Sequence, residues 1–142
     1  MAVDEEEQRL QTMVAQARIL EAYLNEITQR ENLTGRAILE SRASLQAIKA
    51  LTSSPDEILF PIGAGIFVTA SAVRTEKMLA DIGAGAVVEK TPEDMVATVE
   101  RRIKELESAL QTLQSQKGEL SNQLAATRAA VSDIVDKARK GM

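Results

Sequence analysis

From Leu10 the apolar residues of this chain step by alternating threes and fours: Leu10, Met13, Ala17, Leu20, Leu24, Ile27, then Glu31 and Thr34, then Ile38, Ser41, Leu45 and Ile48. Nine of these twelve positions are apolar, and the stretch holds one glycine, Gly35, and no proline. Such spacing is the a/d seam of a coiled coil, and few folds other than a long helix with a helical partner can use it. Thr52-Ser53-Ser54-Pro55 supplies breakers, so the first helix is expected to end near Leu51. The alternation returns as Val96, Val99, Ile103, Leu106, Leu110, Leu113, Lys117, Leu120, Leu124, Thr127, Val131, Ile134 and Ala138, apolar at eleven of thirteen positions. Thr91 is a good N-cap there, Pro92 suits the first helical position, and Glu93 and Asp94 place acid at the positive end of the helix dipole. At ~1.5 Å per residue each arm is ~70 Å long.

Two such helices, joined by about 40 residues, can fold back antiparallel on each other. Setting Ile48 near Val96 places Lys117 opposite Ile27, one seam step from Glu31, and predicts that Glu31 and Lys117 approach across the seam. The alternative is that both side chains snorkel to water. Near the free ends the seam residues Leu10, Met13, Val131 and Ile134 have off-seam apolar neighbours, Val3, Val14, Ile19 and Val135. Apolar groups off the seam suggest a partner or binding surface, although scattered surface aliphatics are common.

Composition narrows the function. The 142 residues fit one modest domain, and aromatic content is only 2%, with Tyr23, Phe60 and Phe67 and no Trp. Buried area must therefore come from Leu, Ile, Val and Ala. Net charge is −4 with both signs interleaved, which argues against a nucleic-acid surface. The basic cluster Lys137-Ala138-Arg139-Lys140 suits a helix C-terminus. With no His and no Cys, the chain lacks imidazole bases, thiol nucleophiles and the usual transition-metal ligands. No catalytic residue, cofactor or metal site is expected, and no enzyme activity. The absence of Cys makes a reducing cytoplasm the default setting. The acidic start Met-Ala-Val-Asp-Glu-Glu-Glu is not a signal peptide, and charges interrupt every apolar run before it reaches membrane-spanning length.

Residues 57–90 change character. Ile58-Leu59-Phe60, Ile66-Phe67-Val68, Met78-Leu79 and Val87-Val88 are short β-rich clusters punctuated by Pro61, Gly63, Gly65, Gly83 and Gly85. Ile62-Gly63-Ala64-Gly65 recurs as Ile82-Gly83-Ala84-Gly85. A nucleotide loop needs a helix N-terminus directly after its glycines, and here each repeat runs into an apolar strand instead. The repeats therefore predict turns of two hairpins, with glycines at positive φ, joined by the polar link Arg74-Thr75-Glu76-Lys77. Asp81 and Glu89 have no nucleophile or imidazole beside them. Two small hairpins with one apolar face are not stable alone, and their apolar residues and open edges call for pairing with further copies or a related chain.

A helix, then Ile58-Leu59-Phe60-Pro61-Ile62-Gly63-Ala64-Gly65-Ile66-Phe67-Val68, then Asp81-Ile82-Gly83-Ala84-Gly85-Ala86-Val87-Val88-Glu89-Lys90, then a second helix resembles an α-class prefoldin subunit over essentially the whole chain. The doubled hairpin motif carries the resemblance, since β-class subunits have one hairpin where α-class subunits have two, and the lack of long tails resembles the archaeal form. The resemblance implies a mostly α, α+β fold of one domain. Residues 1–52 and 91–140 would form an antiparallel two-helix coiled coil, and residues 57–90 two oligomerising β-hairpins at its joined end. It further implies an α2β4 hexamer with β subunits, built on a β-barrel platform of hairpins. That assembly would be an ATP-independent holdase that binds unfolded client proteins at the arm tips and delivers them to a group II chaperonin. The assembly residues carried over are Phe60, Pro61, Ile62, Gly63, Gly65, Phe67, Val68, Ile82, Gly83, Gly85 and Val88. Client contacts rest on position and polarity: Val3, Leu10, Met13, Val14, Val131, Ile134 and Val135. The competing classes are a filament-forming γ-type prefoldin and a coiled-coil adaptor for one defined partner.

Overall fold

The computed structural model describes residues 2–53, 55–71 and 74–141, with side chains from Asp4 onward. Six elements follow in order: α1 (Ala2–Thr52), β1 (Ile58–Gly63), β2 (Ile66–Ala70), β3 (Met78–Gly83), β4 (Ala86–Lys90) and α2 (Pro92–Lys140). Both helices run without a break for 51 and 49 residues, as expected where Ala, Glu, Gln, Arg and Lys are common on the flanks and Gly35 and Gly118 are the only helix-interior glycines.

The chain divides into two compact units. One comprises Met1–Gly35 and Ser108–Met142. Within it the two helical segments pair antiparallel, because Glu21 bridges Arg128 while Glu31, ten residues on, bridges Lys117. Ile27 and Leu124 are its most buried side chains, at 9% and 6% exposure. Each seam position from Leu10 to Thr34, and from Leu110 to Ile134, is at least partly covered. Ala138 is exposed, so the seam closes one step earlier than its spacing suggests.

The other unit is Arg36–Glu107, which holds the inner ends of both helices and all four strands. Ile38, Ser41 and Met95 are its buried side chains among the described residues. The start of α2 is capped as its sequence implies. The Thr91 hydroxyl accepts the Asp94 N–H at 3.2 Å, and the Thr91 carbonyl accepts the Met95 N–H at 2.9 Å. At the end of α1 the Ser53 N–H donates to the Lys49 carbonyl at 3.2 Å, closing the last turn.

The expected approach of Glu31 and Lys117 is found, with Lys117 Nζ 3.0 Å from Glu31 Oε1. The register differs from the one that motivated it. Arg42 meets Glu107 at 2.8 Å, which carries Ile48 about one helical turn past Val96 along α2. An aliphatic seam tolerates a slide of one step, so its spacing alone leaves the register open. At the inner end Met95 is buried at 7% exposure, while Val96 is only partly covered.

Candidate functional site: the hairpins and the arm ends

Each hairpin is an antiparallel two-stranded sheet, β1 with β2 and β3 with β4. Their turns are copies of one another. Ala64 and Gly65 have φ of 52° and 76°, and Ala84 and Gly85 have φ of 53° and 77°. Positive φ at both central residues is the signature of a type I′ turn, whose twist matches that of the strands it joins. The glycine before each turn is also at positive φ, 110° at Gly63 and 99° at Gly83, and beside it the pairing slips by one residue, at Ile62 and at Ile82. In the second hairpin the Asp81 carboxylate accepts the Gly83 N–H at 2.9 Å and supports the bulge. Pro61 stands at the matching place in the first, where its fixed φ takes over part of that role.

Cross-strand partners share a face, so the pairings sort the side chains. In the first hairpin Phe60 pairs with Val68 on one face, and Leu59 with Thr69 and Pro61 with Phe67 on the other. Both faces are apolar. Leu59, Ile62, Ile66 and Phe67 are more than half exposed, and Phe60 and Val68 are 39% and 47% exposed. In the second hairpin Ala80 and Val88 share a partly covered face, while Leu79, Glu89, Asp81 and Val87 share an exposed one. Lys90 Nζ reaches Thr98 Oγ1 at 2.7 Å and ties β4 to α2. Lys77 and Glu89 form a loose exposed pair at 3.8 Å.

Nine of the thirteen large apolar side chains exposed among the described residues fall between Leu59 and Val87. Monomeric proteins rarely leave so many large apolar side chains open over so short a stretch of chain. Of the expected assembly residues, Phe60, Ile62, Phe67, Val68 and Ile82 belong to this surface. Gly63, Gly65, Gly83 and Gly85 build the turns that present it, Pro61 flanks the first bulge, and Val88 lies partly covered beneath. Leu59, Ile66, Leu79 and Val87 also belong to it and are missing from the sequence-derived set. Strand alternation was the available signal, since Leu59 and Phe67 point to the same face.

At the arm ends Leu10, Met13, Val14, Val131, Ile134 and Val135 are all partly covered, packed within one unit of the closed helix pair. Val3 lies outside the residues whose side chains are described. Ile19, the remaining off-seam residue, is 54% exposed, and Tyr23 one turn along is 53% exposed. No helix among the described residues is long and apolar enough to cross a membrane.

A family described as Prefoldin subunit matches residues 8–137. Prefoldin subunit alpha of Nitrosopumilus maritimus is 32% identical over 130 residues, covering 91% of this chain and 90% of that protein. Prefoldin subunit alpha of Pyrococcus horikoshii is 28% identical over 127 residues, covering 89% and 83%. Among solved structures, the prefoldin beta subunit from Thermococcus strain KS-1 superposes with a TM-score of 0.62 at 20% identity, covering 88% of this chain and 90% of that one. A filamentous prefoldin from Methanocaldococcus jannaschii gives 0.57 at 21% identity, covering 87% and 98%. Two long helices joined through twin hairpins, with a family match spanning nearly the whole sequence, place this chain in the prefoldin family.

Proposed function

We propose that this chain is the α-class subunit of an ATP-independent holdase, acting in the cytoplasm with prefoldin β subunits in an α2β4 hexamer. The hairpins form the β-barrel platform, the arm ends hold non-native polypeptides, and the loaded complex passes them to a group II chaperonin. The observation that carries this reading is the apolar surface of the twin hairpins, left open by the isolated chain and edged by unpaired strands. Assembly covers that surface and at the same time gathers several arms, so that weak contacts at each add through avidity.

The arm-end residues fit the role in a particular way. Leu10, Met13, Val14, Val131, Ile134 and Val135 are partly covered while the helices are paired, and fraying of the last turns releases them. No catalytic group or nucleotide is needed for such binding. Suppression of aggregation by several unrelated denatured proteins is the test. The assembled chain protects all of them, and deletion of residues 1–13 and 131–142 removes most of the protection. Unchanged protection after that deletion contradicts the arm-end assignment, and protection of a single client favours the adaptor. Long open polymers from the chain purified alone favour the filament.

A further inference from the structure

The unit formed by Met1–Gly35 and Ser108–Met142 has two flanks beside its seam, and they differ in chemistry. One is crossed by the ion pair between Arg128 and Glu21. The other holds an open groove of about 490 Å³ lined by Gln16, Ile19, Leu20, Gln123, Ala126 and Thr127, with no charged residue among them. Ile19 is 54% exposed on its wall, and Tyr23, one turn along the same helix face, is 53% exposed. The two glutamines are exposed, and their amides can both donate and accept.

We infer that this uncharged groove is a docking site for an extended, apolar stretch of non-native polypeptide, engaged while the helix pair is closed. The inference rests on the holdase reading and assigns it a second client surface, separate from the seam residues at the arm ends. The chemistry of the groove favours an unfolded chain over a folded partner. An extended segment brings apolar side chains together with backbone N–H and C=O groups that have lost their internal partners. Ile19, Leu20, Ala126 and the Tyr23 ring offer apolar contact to the first. The Gln16 and Gln123 amides, set on the two facing helices, offer hydrogen bonds to the second. Because no charge lines the groove, an apolar segment enters without stripping water from an ion, a cost it would meet on the flank that carries Glu21 and Arg128. Tyr23 adds a large contact area at a small loss of side-chain freedom, with its hydroxyl left in water.

The test uses the full chain in its assembled form and reduced, carboxymethylated α-lactalbumin as a permanently unfolded probe. The flank variant Ile19→Ser/Tyr23→Ser weakens probe binding by about tenfold, while Glu21→Gln/Arg128→Gln on the opposite flank changes it less than about twofold. Helical content and assembly mass are measured for both variants, and since both Ile19 and Tyr23 are more than half exposed, neither changes. A photo-crosslinking residue in place of Tyr23 labels the probe. The inference is overturned if the flank variant binds as the unaltered chain does, or if the crosslink captures a second copy of this chain instead of the probe. Failure of the unaltered chain to bind the probe at all sinks the holdase reading itself, whereas normal binding by the flank variant removes only the groove.

Discussion

Glu31 interrupts its seam between Ile27 and Thr34, Lys117 interrupts its own between Leu113 and Leu120, and they meet each other at 3.0 Å. Glu31 is the more enclosed of the two, with a side chain 18% exposed against 42% for Lys117. Its Oε1 is covered from solvent, and the ammonium stands at ion-pair distance but off a hydrogen-bonding line. Such a pair adds little stability over an apolar one and chiefly selects register, as a single polar layer does in other coiled coils. Glu31→Lys should therefore destabilise the chain by about 1 kcal/mol, and adding Lys117→Glu should recover part of it. Glu31→Leu/Lys117→Leu should instead raise the melting temperature. Thermal melts followed by circular dichroism at one fixed concentration check all three. The turns give a second residue-scale prediction. Ala64 and Ala84 sit in the left-handed region, which costs an L-residue about 1 kcal/mol. Asn tolerates that region and is favoured before Gly in type I′ turns, so Ala64→Asn and Ala84→Asn should each raise the melting temperature by a few degrees.

At the scale of elements, much of the molecule was legible in advance. The seam residues of both helices up to Ile134, the Thr91-Pro92 start and the two Gly-Ala-Gly turns are each set by local chemistry and fall where their spacing indicates, and Ala138 alone of the seam is exposed. The register was not legible, because Leu, Ile and Val satisfy neighbouring layers equally well and only the cross-helix ion pairs break the tie. The side surfaces were hidden for a related reason. Val14, Ile19 and Val135 are all off-seam aliphatics in sequence, yet Val14 and Val135 turn toward the partner helix and Ile19 turns away. The hairpins also differ in a way that motif matching obscures. The first is apolar on both faces, while the exposed face of the second carries Asp81 and Glu89 among its aliphatics. A strand apolar on both sides is built to be covered on both. Phe67→Ser should accordingly disrupt assembly, and Val87→Ser should leave most of it intact, as read by sedimentation velocity at equal concentration.

For the molecule as a whole, no large side chain among the described residues is fully buried, and the buried apolar set is limited to Ile27, Ile38, Met95 and Leu124. A chain with so small an interior and so large an apolar hairpin surface gains most of its remaining burial from association. Prefoldin family membership and the open hairpins point to the same conclusion from independent directions. The measurement that tests it most directly is the native mass of the chain, alone and mixed with a prefoldin β subunit. The account predicts a discrete complex of two copies of this chain with four β subunits, formed only when the β subunit is present. A chain that stays monomeric in both samples would contradict it.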